Sequence, residues 1–557
     1  MKNFFLPLFL SSFLVSCSYG QGFNDSSIRK VSTAIAAIEN MYVDTLNKDK
    51  LAEDAIVALL QKLDPHSGYL NPQEVKEMNE PLQGNFDGIG VQFNMLTDTL
   101  YIVQVIPGGP SEKVGVTAGD RIIQVNDTTI AGVKMKNADV MSRLRGPKGT
   151  IVNIKIQRGN NPNLIPFRIV RDKIPIYSLD ASYMLNKETG YIKLNRFAAT
   201  TYDEFKAALS ELQAKGMKNL ILDLQDNGGG YLTAAIEITN EFLKRGNLIV
   251  YTEGAHQRRE DAYASLRGTF EDGKVMVLVN ESSASASEIV TGALQDWDRA
   301  VVVGRRTFGK ALVQRPIPLF DGSMIKLTTA RYYTPTGRSI QKPYQNGDTE
   351  SYNMEVINRY NRGEMISADS IHFPDSLKYN TLVNHRVVYG GGGIMPDYFV
   401  PIDTTRYTDM HRSLNASGVL YKYVMNYIDA NRASLQKQYK DFASFKSQFN
   451  ITDAMLNNLL DLFKNEKFEM IDTKMLFSDT KKDTETPKRT SEVLTADDRK
   501  QFEQSESLIK LQIKALIARD VWNMNEYYQI INEDNEPLTK AVSIIENTAL
   551  YNKLLGK

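Results

Sequence analysis

The stretch KVMVLVNESSASASEIVTGALQ, residues 274–295, decides how the middle of the chain is built. KVMVLVN reads as a strand, and the residues from Ser285 onward read as the start of an apolar helical pattern. Between them stand Ser282, Ser283, Ser285 and Ser287, spaced by alanine and closed by Glu288. Small residues at a strand-to-helix transition let a hydroxyl project into a cleft while the following N–H groups converge on an anion. Any single serine here can also be a plain helix cap, and Ser283 or Ser287 suits that role.

Outward from this point strands and helices alternate. TGYIKLNRF, KNLILDLQDNGGG and RAVVVG read as strands, TYDEFKAALSELQAKG and YLTAAIEITNEFL as helices, and PIPLFDGSMIKLTTARYYTPTGR as a β-hairpin. The pattern predicts an α/β layered unit over 175–401 with added β elements. With 557 residues the chain exceeds the ~250 at which single cores stop growing, so further domains are expected.

Residues 84–160 carry short β-rich runs separated by glycine. Together, GIGV at 88–91, PGGPSEKVG and AGDRIIQVN resemble a PDZ domain. The resemblance implies that Gly88, Ile89, Gly90 and Val91 receive a partner's terminal carboxylate while its tail adds a strand to the sheet edge. Upstream, 24–82 is expected to be helical, with Ile28, Val31, Ile35 and Ile38 at helical spacing. LDPHSGYL, 63–70, holds Asp64, His66 and Ser67 and reads as a rigid interdomain turn, because adjacent residues in a turn do not face one another as a catalytic relay. Downstream, 402–557 shows single apolar stripes and reads as a helical accessory domain, broken by a polar loop over 479–492. Met455, Leu456, Leu459, Leu460 and Phe463 read as packing residues.

The first 17 residues have a basic start, a short apolar run and small residues before Cys17, the pattern of an export signal. LVSC, 14–17, resembles a bacterial lipoprotein box, which implies lipidation at Cys17 and a periplasmic, membrane-anchored protein of the bacterial envelope. Cys17 is the single cysteine, so no internal disulfide is expected. With 66 basic and 66 acidic side chains, no long-range field draws the chain to nucleic acid.

A nucleophilic serine needs a group to take its proton. The five histidines have neither a recognisable catalytic setting nor the spacing of a metal cluster. Lys310, in VVVGRRTFGKALVQ, is the nearest glycine-flanked base. Its ordinary pKa, near ~10.4, falls if an apolar cleft disfavours the ammonium. The blocks SASASE at 283–288, TFGK ending at Lys310 and then Gln314 resemble the carboxy-terminal processing (tail-specific) proteases, serine peptidases with a Ser/Lys dyad. YYTPTGRSIQ and GGGGIMPDYFV resemble further segments of that family.

The resemblance implies Ser285 as nucleophile, Lys310 as general base, Gln314 orienting the lysine, and Glu288 orienting groups near the dyad. Gly229 and Ala286 N–H groups are implied as oxyanion donors, with no metal or organic cofactor. Where many members carry arginine this chain has Gln225, and Gly228 replaces a proline. The implied fold is multidomain α+β: a PDZ-like β domain, an α/β core of ClpP/crotonase-type layering, and helical N- and C-terminal regions. The implied partners are proteins with accessible C-terminal tails, with an adaptor or self-association through the C-terminal helices. The competing readings are a catalytically inactive PDZ scaffold and an esterase or amidase using the same dyad.

Overall fold

A computed structural model describes residues 26–557 except 97, 160, 266, 466–468, 472–487 and 491–493. The expected export signal and Cys17 lie outside the described residues. No described helix is long and apolar enough to cross a membrane.

The central sheet has six strands, in the order Leu179–Met184, Thr189–Leu194, Asn219–Asp223, Lys274–Val279, Val301–Gly304 and Tyr398–Phe399. The first pair is antiparallel and the remaining pairs are parallel. Central parallel strands are buried on both faces, which is why they read as unbroken apolar runs. Alternation then divides each run between two cores. Val275, Val277 and Val302 enter the core beneath helices Thr201–Ala214, Leu232–Asn240 and Ala286–Asp296. Met276, Leu278, Val301 and Val303 enter a second core, closed by Leu538, Ala541, Ile544, Ile545 and Tyr551 of helices Glu536–Glu546 and Thr548–Leu554. The chain's last helices therefore complete the α/β unit, which does not end at residue 401. A sheet with two apolar faces requires a cover on each.

A second, five-stranded antiparallel sheet contains Leu248–Gly254, Gln257–Tyr263, Leu312–Pro318 and Met324–Tyr333, with Gly68–Leu70 added at its edge. The segment expected as an interdomain turn thus supplies an edge strand to this sheet. Helix Ser26–Met41 forms as expected but buries none of its residues.

The PDZ-like unit has the sheet order Val91–Leu96, Thr99–Val105, Arg121–Val125, Ile151–Gln157, Ile165–Val170 and carries helix Asn137–Leu144. It extends past residue 160, because Val152 pairs with Ile169 inside its core, and Asn85–Gly88 pairs with Asp172–Pro175. Beyond it, helices Val419–Gln438, Asp453–Asn465 and Ala496–Val521 share a separate core that includes Met455, Leu456, Leu459 and Phe463. The polar stretch 479–492 lies mostly outside the described residues, but Lys488–Thr490 pairs with Glu469–Ile471. The PDZ-like unit rests on the first of these helices through Tyr101 and Val103 against Met425, and through an Arg121–Asp429 ion pair at 2.5 Å.

Candidate active site

Strand Lys274–Val279 ends in a turn that places Ser285 immediately before helix Ala286–Asp296. Ser285 has φ 55° and ψ −113°, a backbone conformation that L-residues rarely adopt. Such strain persists only where the surroundings hold it, and here the other serines do so. Ser283 Oγ donates to Leu224 O at 2.7 Å, and Ser287 Oγ donates to Asn227 O at 2.8 Å. Both hydroxyls fasten the serine turn to the glycine loop after strand Asn219–Asp223. The same loop is held from the other side, where Asp226 N–H donates to Asn280 Oδ1 and Asn280 Nδ2 donates back to Asp226. Small residues are needed because the loops touch: a Cβ at Gly229 would stand 2.7 Å from Ala284 O and 2.8 Å from Ser285 Cβ.

Glu288 is fully buried, and its carboxylate accepts from Ser285 N–H (2.9 Å), Lys310 N–H (2.9 Å), Gly309 N–H (2.7 Å) and Thr307 Oγ1 (2.6 Å). Burial pushes this carboxyl up, and the donors oppose that push. Three of these partners are backbone N–H groups, which can only donate, and the Thr307 hydroxyl, which accepts from Ile394 N–H, gives its proton to the same carboxylate. That geometry calls for the carboxylate form.

A second bridge joins the same segments: Tyr332 OH lies 2.7 Å from Lys310 O and 3.1 Å from Ser285 O. The serine turn and the lysine strand are therefore locked together at their backbones. These bridges do not use the reacting side chains, and among the described residues Lys310 Nζ has no hydrogen-bond partner. Removing one bridge tests its worth. Tyr332→Phe is expected to destabilise the fold by about 1–2 kcal/mol, because two half-buried carbonyls lose the one donor they share. It should also lower kcat about tenfold by loosening the alignment. Thermal melts and steady-state kinetics measure both, and unchanged kcat in a destabilised variant would show the bridge to be purely structural.

Burial holds the Lys310 amine down to about 8; the neighbouring Lys326 charge adds to the effect, and Glu288 and Asp64 oppose it. Asp64 belongs to the turn that sequence spacing had set apart from the chemistry. Its carboxylate accepts from Thr328 Oγ1 at 2.9 Å and Ser67 Oγ at 2.6 Å, while Ser67 Oγ accepts from Thr328 N–H at 3.0 Å. His66 meets Tyr352 OH at 2.9 Å and is pushed down to about 4 by burial and then by the Lys310 charge, so it is neutral at physiological pH. The sequence signal for this turn was its acidic-and-hydroxyl composition. What gives it meaning is the pairing of Gly68–Leu70 with the strand that carries Thr328.

The structure departs from expectation at two implied site residues. Gln314 donates through Nε2 to Leu312 O at 3.1 Å and Thr328 Oγ1 at 3.3 Å, and makes no hydrogen bond to the Lys310 ammonium. The amide therefore braces the strand, because its reach along the extended backbone leads to Thr328. Gly229 N–H donates to Asn227 Oδ1 at 2.9 Å, so it is not a free donor; Ala286 N–H, at the helix start, has no partner among the described residues. Gln225 meets Asn535 at 3.4 Å just ahead of helix Glu536–Glu546.

In the PDZ-like unit, Gly88, Ile89, Gly90 and Val91 line a cavity of about 470 Å³ between helix Asn137–Leu144 and the outer strand Val91–Leu96. Gly90 takes φ +76°, and Ile89 O is pinned by Ser111 N–H (3.0 Å) and Oγ (2.7 Å).

Comparisons with known proteins agree with this layout. A model of peptidase family S41 matches residues 188–350, a PDZ-domain model matches 88–166, and a family of unknown function, DUF8443, matches 410–523. The chain is similar to a carboxy-terminal-processing protease of Bartonella bacilliformis, with 38% identity over 55% of this chain and 70% of that one. It is also similar to the carboxy-terminal processing protease CtpB of Bacillus subtilis, with 35% identity over 57% of this chain and 66% of that one. A probable CtpA-like serine protease of Staphylococcus epidermidis shows 34% identity over 57% of this chain and 63% of its own length. Identity at 38% across 70% of a relative's length, with the family model spanning the serine turn, means that this chain belongs to peptidase family S41 and is a serine-type carboxy-terminal-processing endopeptidase.

Proposed function

We propose that the PDZ-like unit captures the unstructured C-terminal tail of another exported protein and that Ser285 and Lys310 cut it. The observation that carries this reading is the double lock, Glu288 and Tyr332, on the backbones of a strained serine and a lysine whose amine is held near neutrality. The layered core, with its nucleophile at a strand-to-helix turn, is read as ClpP/crotonase-type.

Neutral Lys310 accepts the Ser285 Oγ proton as Oγ attacks the peptide carbonyl. Ala286 N–H, at the positive end of its helix, stabilises the oxyanion. Gly229 joins it only if Asn227 releases its N–H. The lysine ammonium returns the proton to the leaving amine as the C–N bond breaks, leaving an ester on Ser285. Water then attacks the ester, Lys310 takes its proton and passes it back to Ser285, and the new carboxylate departs. The chain acts outside the cytoplasm, tethered through a lipid on Cys17.

The test is cleavage of an unstructured peptide compared with its C-terminal amide, read by mass spectrometry. New termini are expected near the end of the free-acid peptide, with slower cutting of the amide. Equal rates on both would remove tail capture, and no cutting of either would remove the peptidase reading.

The pH dependence follows from the lysine. Below its pKa the amine is a protonated, incompetent base, so kcat/KM should rise about tenfold per pH unit and level off above about 8. Lys326→Met removes a positive neighbour, lets the Lys310 pKa rise and moves this limb to higher pH. A limb that stays put in the Lys326→Met profile would assign the titration to another group.

A further inference from the structure

The tail groove is not walled by the PDZ-like unit alone. Tyr421 and Arg519, both from the C-terminal helical domain, line the same cavity as Gly88–Val91, Met141 and Leu144. Tyr421, Met425 and Asp429 fall four residues apart on helix Val419–Gln438 and so share one face. Met425 and Asp429 are the residues that hold the PDZ-like sheet, through Tyr101, Val103 and Arg121. Tyr421 extends that contact to the groove, and Arg519, in the last turn of helix Ala496–Val521, lies over its ring at 4.7 Å.

The Arg519 guanidinium is incompletely paired. Its Nε donates to Asp520 at 2.6 Å, while neither terminal nitrogen has a partner among the described residues, and Nη2 is buried. A buried guanidinium nitrogen without an acceptor is costly, and such groups in native structures call for an explanation. The side chain of Arg519 is only 14% exposed, so water does not readily supply the missing acceptors. Asp520 pairs with Arg519 through this one bond, its Oδ2 being buried without a partner as well, and Arg432, which donates to Asp520 O at 3.1 Å, adds a second positive charge beside it. The other arginine of the groove, Arg145, is occupied by Glu80.

Strand addition binds any tail through its backbone, so selection must come from pockets for its side chains. Apolar Ile89, Val91, Met141 and Leu144 suit an apolar terminal residue. We infer that Arg519, stacked on Tyr421, is a specificity-determining residue of this groove, selecting tails that carry an acidic side chain upstream of an apolar C-terminal residue. This rests on tail capture by the PDZ-like unit and adds to it a wall contributed by the C-terminal helical domain.

The test uses full-length Ser285→Ala protein and fluorescent peptides that end in an apolar residue, read by anisotropy. A single Glu is scanned along the upstream positions, each peptide matched by its Gln, Lys and C-terminally amidated counterparts. At one or two neighbouring positions Glu is expected to bind about tenfold more tightly than Gln, the worth of a charge-assisted hydrogen bond. Arg519→Gln should erase that preference and leave the Gln peptides unaffected, and Arg519→Glu should favour the Lys peptide, a gain that a damaged fold cannot produce. The inference is overturned if no position prefers Glu, if the preference survives Arg519→Gln, or if Arg519→Glu does not gain the Lys peptide. Amidation reads the underlying capture separately: it should weaken every peptide whatever residue stands at 519, and its having no effect would remove tail capture itself.

Discussion

Replacing Lys310 with methionine is expected to lower kcat by on the order of 10⁴-fold while making the protein more stable. The loss follows from the proposed chemistry: without an amine no group among the described neighbours accepts the Ser285 proton, since His66 is held by Tyr352 and Glu288 is saturated with donors. Ser285→Ala should lose as much, and the double variant no more than either, because the pair acts as a unit. The gain follows from burial. Holding the amine near 8 in place of its ordinary 10.5 costs the fold about 3 kcal/mol at neutral pH, where it is protonated in both folded and unfolded chains. Methionine has a similar length and no charge, so it should recover part of that, about 1–3 kcal/mol. The sign can be checked with pH. Between about 8 and 10.5 the unfolded chain binds the proton more tightly than the folded one, so the wild type regains stability as pH rises. The advantage of Lys310→Met over wild type must therefore shrink across that window. An active Lys310→Met protein removes the dyad, and a variant destabilised at neutral pH removes the strained-lysine account of it.

What the sequence disclosed about this site follows the reach of local pattern. The strand, the serine turn and the helix after it are contiguous, so their chemistry could be read from residues 274–295 alone. Glu288 could be placed near the dyad but not understood, because its partners at 307, 309 and 310 lie on a different strand connection. Tyr332 and Asn227 carry no local signal for the same reason: a tyrosine in an alternating strand and an asparagine in a glycine loop become informative only when folding brings them against Ser285 and Ser287. The turn at 63–70 carries residues that cannot form a relay with one another, and their partners, Thr328 and Tyr352, come from distant parts of the chain. Likewise the apolar stripes of the last helices were visible, but periodicity does not say which surface a stripe covers. It was the uncovered face of the central sheet that assigned residues 536–554 to the core. At Gly229 and Gln314 the resemblance supplied roles, while the hydrogen bonds to Asn227 and Thr328 depend on side-chain geometry that no motif encodes.

Glu288 offers the other large effect, and two substitutions separate charge from shape. Each carboxylate oxygen takes two donors, Oε1 from Thr307 and Gly309, Oε2 from Ser285 and Lys310. In Glu288→Gln the amide nitrogen must face one of these pairs with a donor of its own. The less costly placement puts it against Thr307 and Gly309, leaving the Gly309 N–H buried without an acceptor and keeping the bonds to Ser285 and Lys310. A loss of about 2–3 kcal/mol in stability follows, and kcat should fall about 10²-fold as the turn relaxes. Glu288→Ala removes the acceptor from all four donors and opens a polar void between the serine turn and the lysine strand. Its expected cost is about 3–5 kcal/mol, and its activity should approach that of Ser285→Ala. The graded order, wild type above Gln above Ala in both melting and kcat, depends on the carboxyl being ionised in its buried site. Were it a neutral acid, glutamine would mimic it closely, so a Glu288→Gln protein that melts and cuts like wild type would show that the lock on Ser285 and Lys310 carries no charge.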